Sequence, residues 1–567
     1  MIIKYTVPKI TGGQLAVESL KALGVRRVFC VPGESFLPVL DALYDSPEIE
    51  PIVCRQEGGA AYMAEAHGKL TGEPGVCLVS RGPGATNASI GVHAAFFDAT
   101  PMVLLVGQVR QDTLGREAFQ EMDMESFFAP IAKSIETIHD PARIPEALFR
   151  AFSIARAPRQ GPVVLVLPED VLRMKASVPT FPQAKQSEAW PSKEDLNTLM
   201  GLLSAAKNPL VVLGGNGWTE EGRGAIEHFA EANGLPVTTS FVRQSLFDNT
   251  HPNYVGPLGV WADPRLKSAL KEADLVLAVG TRLGDATTDT YQLLKPQSTA
   301  RTLVHVYPDA KELGKVWPFR LGIPAGLNAT AAALAGLPAV PARPWEEWRK
   351  LLRKQYSEDI QPPPMPGRLN LAEAIKTLQA TLEPDAILAI GAGNFMGWPI
   401  RFYQHQKPHT QLSLTVGAMG YSVPAAVAAK LCHPKRQVVA FAGDGCFLMN
   451  GQELATARRH GLNVVFFVVN NGMYGTIRMH QERHYPGRVI ATDLTNPDFA
   501  LLAEAYGLLG MRVKKTQDFA PALERALSAN GPALIELMLE PEAISIRRTL
   551  SGLKDEKGPL SRKGPTP

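Results

Sequence analysis

The sequence has 567 residues, of which 45% are hydrophobic and 20% are charged, as expected of a large globular protein with several domains. The formal net charge of +3 is too small and too evenly spread to indicate a nucleic-acid partner, and no apolar run is long enough to span a membrane. Residues 1–13 lack the apolar core of a signal peptide, and the five cysteines form no Cys-x-x-Cys pair. We therefore expect a cytoplasmic protein with reduced thiols.

Two proline-rich linkers divide the chain into three blocks of similar size. They lie at residues 176–192 and 336–367, and the second is the richer in proline. The predicted domains are residues 1–175, 190–340 and 368–546, followed by a basic, glycine- and proline-rich tail at residues 547–567.

Each block alternates short apolar runs with stretches of helical composition. In chain order, the predicted strands lie at residues 76–79, 102–106 and 163–167, then at 210–213, Leu275–Val279 and Thr302–Val306, and finally at 386–390, 438–441, 464–469 and 533–539. Regular alternation of strands and helices predicts an α/β fold, here with three doubly wound domains that have parallel sheets.

In block one, an acidic residue stands where a strand meets a helix. Residues 52–54 form a short apolar run, and the alanine-rich stretch that begins near Glu57 has helical composition. Proteins of the α/β class build their binding sites at this edge of the sheet. An acid at a helix N-terminus is also explained by the helix dipole alone, so the local sequence leaves both explanations open.

In block three, an acidic and an amide side chain follow consecutive strands. Asp444 follows the apolar run that ends at residue 442, and Asn471 follows the next run, with helical composition at residues 452–460 between them. The carboxyl ends of neighbouring parallel strands lie at one edge of a sheet. A carboxylate and an amide oxygen beside a helix start suit a magnesium ion bound to a diphosphate. A tight turn is the alternative, since Asn-Gly is a common turn pair.

Gly-Asp-Gly at residues 443–445, followed after a spacer by Asn-Asn, resembles the signature of thiamine diphosphate-dependent enzymes. The resemblance implies that the cofactor binds with Mg²⁺, which the side chains of Asp444 and Asn471 and the main-chain carbonyl of Met473 coordinate. It implies that Met419 props the two cofactor rings into a bent shape. The other residues that it assigns to the cofactor are Gly393, Asn394, Gly443, Gly445 and Cys446.

Glu57 lies in a segment that resembles the one supplying the catalytic glutamate in the acetolactate synthase group, although Gln56 replaces the group's histidine. In that group the glutamate touches the aminopyrimidine of the cofactor, and this contact promotes loss of the weakly acidic thiazolium C2 proton. The glutamate and the metal ligands of one site come from different subunits there. The resemblance therefore implies a homodimer or homotetramer with active sites at the dimer interface.

The resemblance to this group extends from about residue 11 to residue 539 and includes Ala-Phe-Gln-Glu at residues 118–121. It implies that Phe119 and Gln120 face the substrate, and it matches Lys133 to a lysine of the group. Two departures concern substrates and a second cofactor. His480 stands where the group has a tryptophan that favours one acceptor. Arg282 could pair with an acceptor carboxylate, but the FAD-associated segment around it has lost its second arginine, which argues against FAD.

These features predict a thiamine diphosphate-dependent transferase that decarboxylates a 2-oxo acid, with pyruvate as the default, and joins the product to a second carbonyl of a 2-oxo acid or aldehyde. A simple decarboxylase, a benzaldehyde-lyase-like carboligase and an acyl-CoA lyase are the alternatives within the family. An inactive scaffold with a nucleotide-binding second block is disfavoured by the intact acid and metal ligands. A dinucleotide oxidoreductase is weaker still, because no Gly-x-Gly-x-x-Gly follows a strand with an acid downstream.

Overall fold

A computed structural model describes residues 8–294 and 301–555 of the protein. These residues form three six-stranded sheets, one in each predicted block, and all neighbouring strands in the three sheets are parallel. The predicted α/β fold with three parallel-sheet domains is confirmed. The exact domain boundaries stay predictions, and residues 556–567 of the predicted tail lie outside the described residues.

The N-terminal domain contains the first sheet. A short antiparallel pair of strands joins the beginning of this domain to its end. Its strands are β1 (Ile10–Thr11), β2 (Arg27–Cys30), β3 (Glu50–Val53), β4 (Gly75–Ser80), β5 (Met102–Gln108), β6 (Ser134–Thr137), β7 (Pro162–Pro168) and β8 (Lys175–Ala176). Its helices are α1 (Gly12–Ala22), α2 (Leu37–Tyr44), α3 (Glu57–Thr71), α4 (Arg81–Asp98), α5 (Met124–Phe128), α6 (Ile144–Arg156) and α7 (Glu169–Arg173). The sheet order is β3-β2-β4-β5-β7-β6, and β1 pairs with β8.

The central domain has a sheet of order β11-β10-β9-β12-β13-β14. These strands are β9 (Pro209–Leu213), β10 (Val237–Thr239), β11 (Tyr254–Pro257), β12 (Leu275–Val279), β13 (Thr302–Val306) and β14 (Leu321–Ile323). The helices of this part of the chain are α8 (Lys193–Ala205), α9 (Glu220–Ala232), α10 (Pro264–Glu272), α11 (Leu327–Ala335) and α12 (Glu346–Asp359).

The C-terminal domain has a sheet of order β16-β15-β17-β18-β20-β19. These strands are β15 (Ile387–Ile390), β16 (Gln411–Leu412), β17 (Val438–Gly443), β18 (Val464–Asn470), β19 (Leu509–Val513) and β20 (Ala533–Met538). The helices are α13 (Leu371–Thr381), α14 (Gly397–Phe402), α15 (Ser422–Cys432), α16 (Asp444–Asn450), α17 (Leu454–Arg459), α18 (Gly475–His484), α19 (Phe499–Ala505), α20 (Phe519–Leu527) and α21 (Leu550–Asp555).

The central strands of each sheet are the ones that the apolar runs predict. Every residue of β5, β7, β17 and β18 is buried, as expected for parallel strands that are covered by helices on both faces. The sequence analysis missed the edge strands β6, β11, β14, β16 and β19. It also missed β2 and β10, which lie next to an edge and have only four and three residues, and the two-residue strands β1 and β8. Edge strands are short or half-exposed, so they lack an unbroken apolar run.

The N- and C-terminal domains share one hydrophobic core. Buried alanines of α3 and α15 belong to a single cluster, which includes Ala60 and Ala64 on one side and Ala425 and Ala428 on the other. Small side chains let the two helices approach closely and fix the position of α3 relative to the C-terminal sheet. Within the described parts of the chain, no helix has the length and apolarity needed to cross a membrane.

Candidate cofactor and active site

The carboxyl ends of β17 and β18 meet at one edge of the C-terminal sheet, because the two strands are parallel neighbours. Asp444 follows β17 and Asn471 follows β18, so the structure brings them to this edge. The sequence predicts one helix at residues 452–460. In the structure, α16 already begins at Asp444, and a 3-10 turn separates it from α17. An aspartate in the first helical turn interacts favourably with the helix dipole. The Asn-Gly pair at residues 471–472 does form a bend, and Gly472 has a φ of +68°.

Asp444 is buried and hydrogen-bonded to neutral donors. It is 3% exposed. Its Oδ1 accepts the N–H of Gly445 (2.9 Å), and its Oδ2 accepts the N–H of Gly472 (2.9 Å) and Asn496 Nδ2 (2.8 Å). Burial raises the pKa of this carboxyl above its ordinary value. A buried carboxylate held only by neutral groups is the setting that a bound cation stabilises.

The oxygen atoms around Asp444 suit Mg²⁺. They come from the Asp444 carboxylate, the side-chain amide of Asn471 and the main chain of Met473, and all three residues line the same cavity. Oδ1 of Asn496 adds a buried amide oxygen without a hydrogen-bond partner among the described residues. Magnesium prefers oxygen ligands of these kinds, so the residues present fit the ion.

A cavity of about 260 Å³ opens at this edge of the sheet. All nine residues that the sequence assigns to the cofactor line it: Gly393, Asn394, Met419, Gly443, Asp444, Gly445, Cys446, Asn471 and Met473. They come from four separate segments that the parallel sheet brings together. Their contacts with a cofactor stay predictions.

Other lining residues were missed by the sequence analysis. They include Trp398, Tyr474, Thr476, Ile477 and Ile544. Tyr474, Thr476 and Ile477 directly follow Met473, so their position in the chain was an available signal. Trp398 and Ile544 belong to distant segments that carry no local motif.

Asn394 shapes the wall of this cavity through two hydrogen bonds. Its Nδ2 donates to the carbonyl of Ile544 (2.9 Å), and its Oδ1 accepts the hydroxyl of Thr476 (3.0 Å). Both ends of the amide are thereby used to join the loop after β15 to α18 and to the segment before α21. The side chain of Asn394 therefore organises the cavity.

Glu57 lies on a different domain from this cavity. It is the first residue of α3, it is half-buried, and its Oε2 accepts a hydrogen bond from Asn87 Nδ2 (2.9 Å). The main-chain N–H groups of Arg55 and Gln56 donate to Glu453 Oε1 at 2.9 and 3.2 Å. The turn before Glu57 is thus fixed to the C-terminal domain.

Every described residue that lines the 260 Å³ cavity lies between positions 392 and 544, so Glu57 is not among them. Within a single chain, the predicted catalytic acid and the predicted metal ligands therefore line different surfaces.

Phe119 and Gln120 lie at the same edge of the N-terminal domain as Glu57. Phe119 is 74% exposed. The carbonyl of Gln120 accepts the N–H of Gly82 at 3.0 Å near the start of α4, and Gln120 itself has a φ of +65°. A non-glycine residue with left-handed backbone angles next to a large exposed aromatic ring is typical of loops that bind a ligand or a partner.

The three residues that were matched to substrate contacts do not converge on the cavity. Lys133 caps the C-terminus of α6, since its Nζ donates to the carbonyls of Ile154 (2.6 Å) and Ala157 (3.2 Å). Burial there lowers the pKa of Lys133 to about 8. His480 is exposed on α18, with its ring stacked on that of His484. Lys133 thus stabilises the end of α6, and its contact with substrate stays a prediction.

Arg282 lines a second cleft, which is formed by residues of all three domains. This cleft has a volume of about 380 Å³ and adjoins a cavity of about 570 Å³ at the carboxyl edge of the central sheet. The Arg282 guanidinium lies over the Phe97 ring, 5.5 Å from its centroid, and donates to the Phe97 carbonyl. The expectation against FAD stays a prediction.

Three family models match the chain, one in each domain. They are described as the thiamine pyrophosphate enzyme N-terminal TPP binding domain (residues 10–127), central domain (residues 196–334) and C-terminal TPP binding domain (residues 391–537). With the full-length relatives below, they show that the chain belongs to the thiamine pyrophosphate enzyme family.

The similar curated proteins include several acetolactate synthases. The acetolactate synthase large subunit of Corynebacterium glutamicum is 32% identical, over 94% of this chain and 88% of that protein. The isozyme 1 large subunit of Escherichia coli K12 is 31% identical, over 95% of both chains, and the acetolactate synthase of Arthrospira platensis is 31% identical, over 94% of this chain and 95% of that protein. The prediction of a thiamine diphosphate- and Mg²⁺-dependent carboligase that acts by decarboxylation is confirmed.

Proposed function

We propose that this enzyme decarboxylates pyruvate and joins the product to a second 2-oxo acid, so that acetolactate is formed when both substrates are pyruvate. The observation that supports this most is the convergence of all nine predicted cofactor residues on one cavity. The similarity to acetolactate synthases over nearly the whole chain supports the choice of substrate.

The chain's own residues have distinct tasks in this reaction. Asp444, Asn471 and the carbonyl of Met473 would hold Mg²⁺, and Met419 would support the cofactor rings. Bound thiamine diphosphate supplies a nucleophilic carbon and an electron sink for decarboxylation. Glu57 holds a proton at the pyrimidine nitrogen, which a carboxylate at hydrogen-bonding distance can do.

The separation of Glu57 from the cavity supports a site shared between two chains. Exposed apolar residues of α4 and α16, namely Ile90, Phe97, Leu448 and Met449, lie on the same elements as Asn87 and Asp444. A second copy of the chain that covers these surfaces would bring its Glu57 to this chain's cavity. We therefore infer a homodimer, or a homotetramer built from such dimers.

Phe119 and Gln120 are the residues that we assign to the substrate side. A dimer would carry their exposed loop to the partner cavity together with Glu57. Arg282 and His480 lie outside the cavity of the single chain, so their assignment to the acceptor depends on the dimer arrangement.

The free cysteines support a reducing compartment. All five are unpaired, and four of them are buried. We infer a cytoplasmic location from this use of cysteine.

The proposed reaction is tested with purified protein, thiamine diphosphate and Mg²⁺ on a panel of 2-oxo acids, with carbon dioxide and the coupled product both quantified. We expect one carbon dioxide and one acetolactate for every two pyruvates consumed, so the two products form at equal rates. Carbon dioxide without acetolactate would identify a simple decarboxylase. Turnover only with aldehydes would identify a benzaldehyde-lyase-like carboligase, and turnover only with acyl-CoA substrates would identify an acyl-CoA lyase.

A further inference from the structure

The peptide group between Met419 and Gly420 is hydrogen-bonded on both sides by side chains. The hydroxyl of Tyr62 donates to the Met419 carbonyl at 3.2 Å, and the N–H of Gly420 donates to Cys446 Sγ at 3.2 Å. Asn450 Nδ2 donates to the next carbonyl, that of Gly420, at 2.9 Å. Side chains from two domains therefore determine how this peptide is oriented.

The loop that carries Met419 has little regular structure of its own. It joins β16 to α15, and two of its glycines, Gly417 and Gly420, have φ values of +69° and +82°. Glycine in the left-handed region gives the backbone considerable freedom. The direction of the Met419 side chain consequently depends on contacts from outside the loop.

One face of α3 supplies such contacts along the loop. Tyr62, Glu65 and Lys69 have the i, i+3, i+7 spacing that aligns side chains on one side of a helix. Lys69 Nζ donates to the carbonyl of Ser413 at 2.9 Å, and the hydroxyl of Tyr421 donates to Glu65 Oε2 at 2.7 Å. The Tyr62 contact lies between these two along the chain, two residues before Tyr421.

Tyr62 is enclosed, so other donors cannot readily take its place. It is 1% exposed, and the edge of its ring packs against that of Tyr421 at a centroid distance of 5.4 Å. The Met419 carbonyl lies in a partly buried position, and when it loses this donor it must rotate toward another partner or toward water. Loss of the hydroxyl alone is therefore expected to shift the peptide while the ring packing is kept.

We propose that Tyr62 is a positioning residue for the reaction, since its hydroxyl fixes the peptide of Met419 and thereby the side chain that supports the bent cofactor. The inference rests on the proposed role of Met419. It gives α3 two tasks: the helix presents Glu57 at its first residue, and it orients the Met419 loop five residues later.

The test compares Tyr62→Phe with Tyr254→Phe, which removes an equally buried hydroxyl from the core of the central domain, where it bonds to Thr239. The rate of hydrogen–deuterium exchange at C2 of the bound cofactor is measured by acid quench and NMR, together with the cofactor Kd and the thermal midpoint. We expect Tyr62→Phe to slow the exchange by about tenfold or more, because small misplacements of reacting groups cost large factors in rate. Cofactor affinity should change by less than about threefold, since the diphosphate ligands are untouched.

Exchange at the wild-type rate in folded Tyr62→Phe protein would overturn the proposal, and so would equal slowing in Tyr254→Phe. If Tyr62→Phe does not fold, Tyr62→Met removes the same donor and keeps an apolar side chain of similar length, and an unchanged exchange rate in that variant overturns the proposal as well. Wild-type protein that neither binds the cofactor nor exchanges its C2 proton would instead contradict the proposed function.

Discussion

Glu57 and Asp444 each begin a helix that follows a parallel strand, yet their surroundings differ. Glu57 is half-buried and accepts a hydrogen bond from Asn87 through one carboxylate oxygen. Asp444 is almost fully buried and accepts three hydrogen bonds from neutral donors. The first setting leaves a carboxylate oxygen able to hold a proton shared with a ligand, whereas the second fixes the carboxylate for a metal ion.

We expect Glu57→Gln to abolish turnover almost completely while the binding of Mg²⁺ and thiamine diphosphate persists. An amide cannot hold the proton at the pyrimidine nitrogen as a carboxylate does, and general acid–base groups typically contribute about 10²–10⁴-fold in rate. The measurements are kcat at saturating cofactor and the cofactor Kd from fluorescence quenching.

Glu347→Gln is the matched control for this change, because the side chain of Glu347 is 85% exposed on α12. It should have wild-type activity. Near-normal kcat in Glu57→Gln would refute the assignment of Glu57.

At the scale of secondary-structure elements, the close packing of α3 on α4 depends on glycine. A Cβ at Gly91 would lie 2.4 Å from the Cβ of Ala61 and 2.7 Å from its carbonyl carbon. Such contacts with backbone cannot be relieved by a side-chain rotation. The two helices that carry Glu57 and Asn87 are consequently set at a separation that only glycine permits.

We expect Gly91→Ala to lower the free energy of unfolding by about 2 kcal/mol or more, as overpacked core substitutions do. In contrast, Gly201→Ala on α8 has no heavy atom within 4 Å of the added methyl group. It should be neutral or stabilising by up to about 1 kcal/mol through helix propensity. Thermal and urea unfolding of both variants check this, and equal effects at the two sites would contradict it.

The contact between α3 and α15 also predicts a pH dependence. Burial lowers the pKa of His67 from 6.5 to about 4, and its Nδ1 lies 3.2 Å from Cys432 Sγ. Between pH 6.5 and 4 the unfolded chain binds a proton at this histidine that the folded chain does not. The stability contributed by neutral His67 is therefore complete above pH 6.5 and is lost as the pH falls toward 4.

Relative to His67→Gln, we expect the wild type to lose about 2 kcal/mol of unfolding free energy between pH 7 and pH 5. Urea unfolding of both proteins at both pH values measures this loss. The contributions of carboxyl groups that the two proteins share largely cancel when their unfolding free energies are subtracted. His228, which is exposed on α9, provides the control substitution His228→Gln. A wild-type-minus-variant difference that does not change with pH would show that burial of His67 has no such effect.

At the scale of the whole molecule, one buried network joins the three domains. Asp98 of α4 pairs with Lys69 of α3 at 2.6 Å and with Arg243 of the central domain at 3.1 Å, and it accepts the N–H of Thr415 in the C-terminal domain at 2.9 Å. Paired charges with satisfied hydrogen bonds restrict how the domains can be arranged. The network therefore helps to fix the two predicted half-sites, around Glu57 and around Asp444, relative to each other.

A hybrid dimer tests whether these half-sites are completed by a second chain. In a purified hybrid of Glu57→Gln and Asp444→Ala chains, one of the two shared sites keeps both native residues, so we expect about half of wild-type activity. Affinity tags on the two chains isolate the hybrid, and kcat is measured on pyruvate.

The control hybrid joins a wild-type chain to a chain that carries both substitutions. Shared sites leave this hybrid without an intact site, so it should be inactive. The opposite pattern, an inactive first hybrid and an active control, would show that each site is built within one chain.

The sequence was sufficient to predict that Asp444 and Asn471 meet at one cavity, because the signals for this are local. An apolar run specifies a buried parallel strand, and residues that directly follow two adjacent strands must meet at one edge of the sheet. Asp444 and Asn471 were found in this way. The resemblance to a known family then added Met419 and Glu57, whose chemical roles cannot be derived from periodicity.

By itself, the sequence determined the three α/β domains, the family and nine of the residues that line the cavity. Only the tertiary structure separated Glu57 from that cavity, placed Lys133 at the end of α6 and joined Tyr62 to the carbonyl of Met419. The physical reason is distance along the chain: Tyr62 and Met419 are brought together by the packing of α3 on α15, and no pattern within either segment specifies its partner.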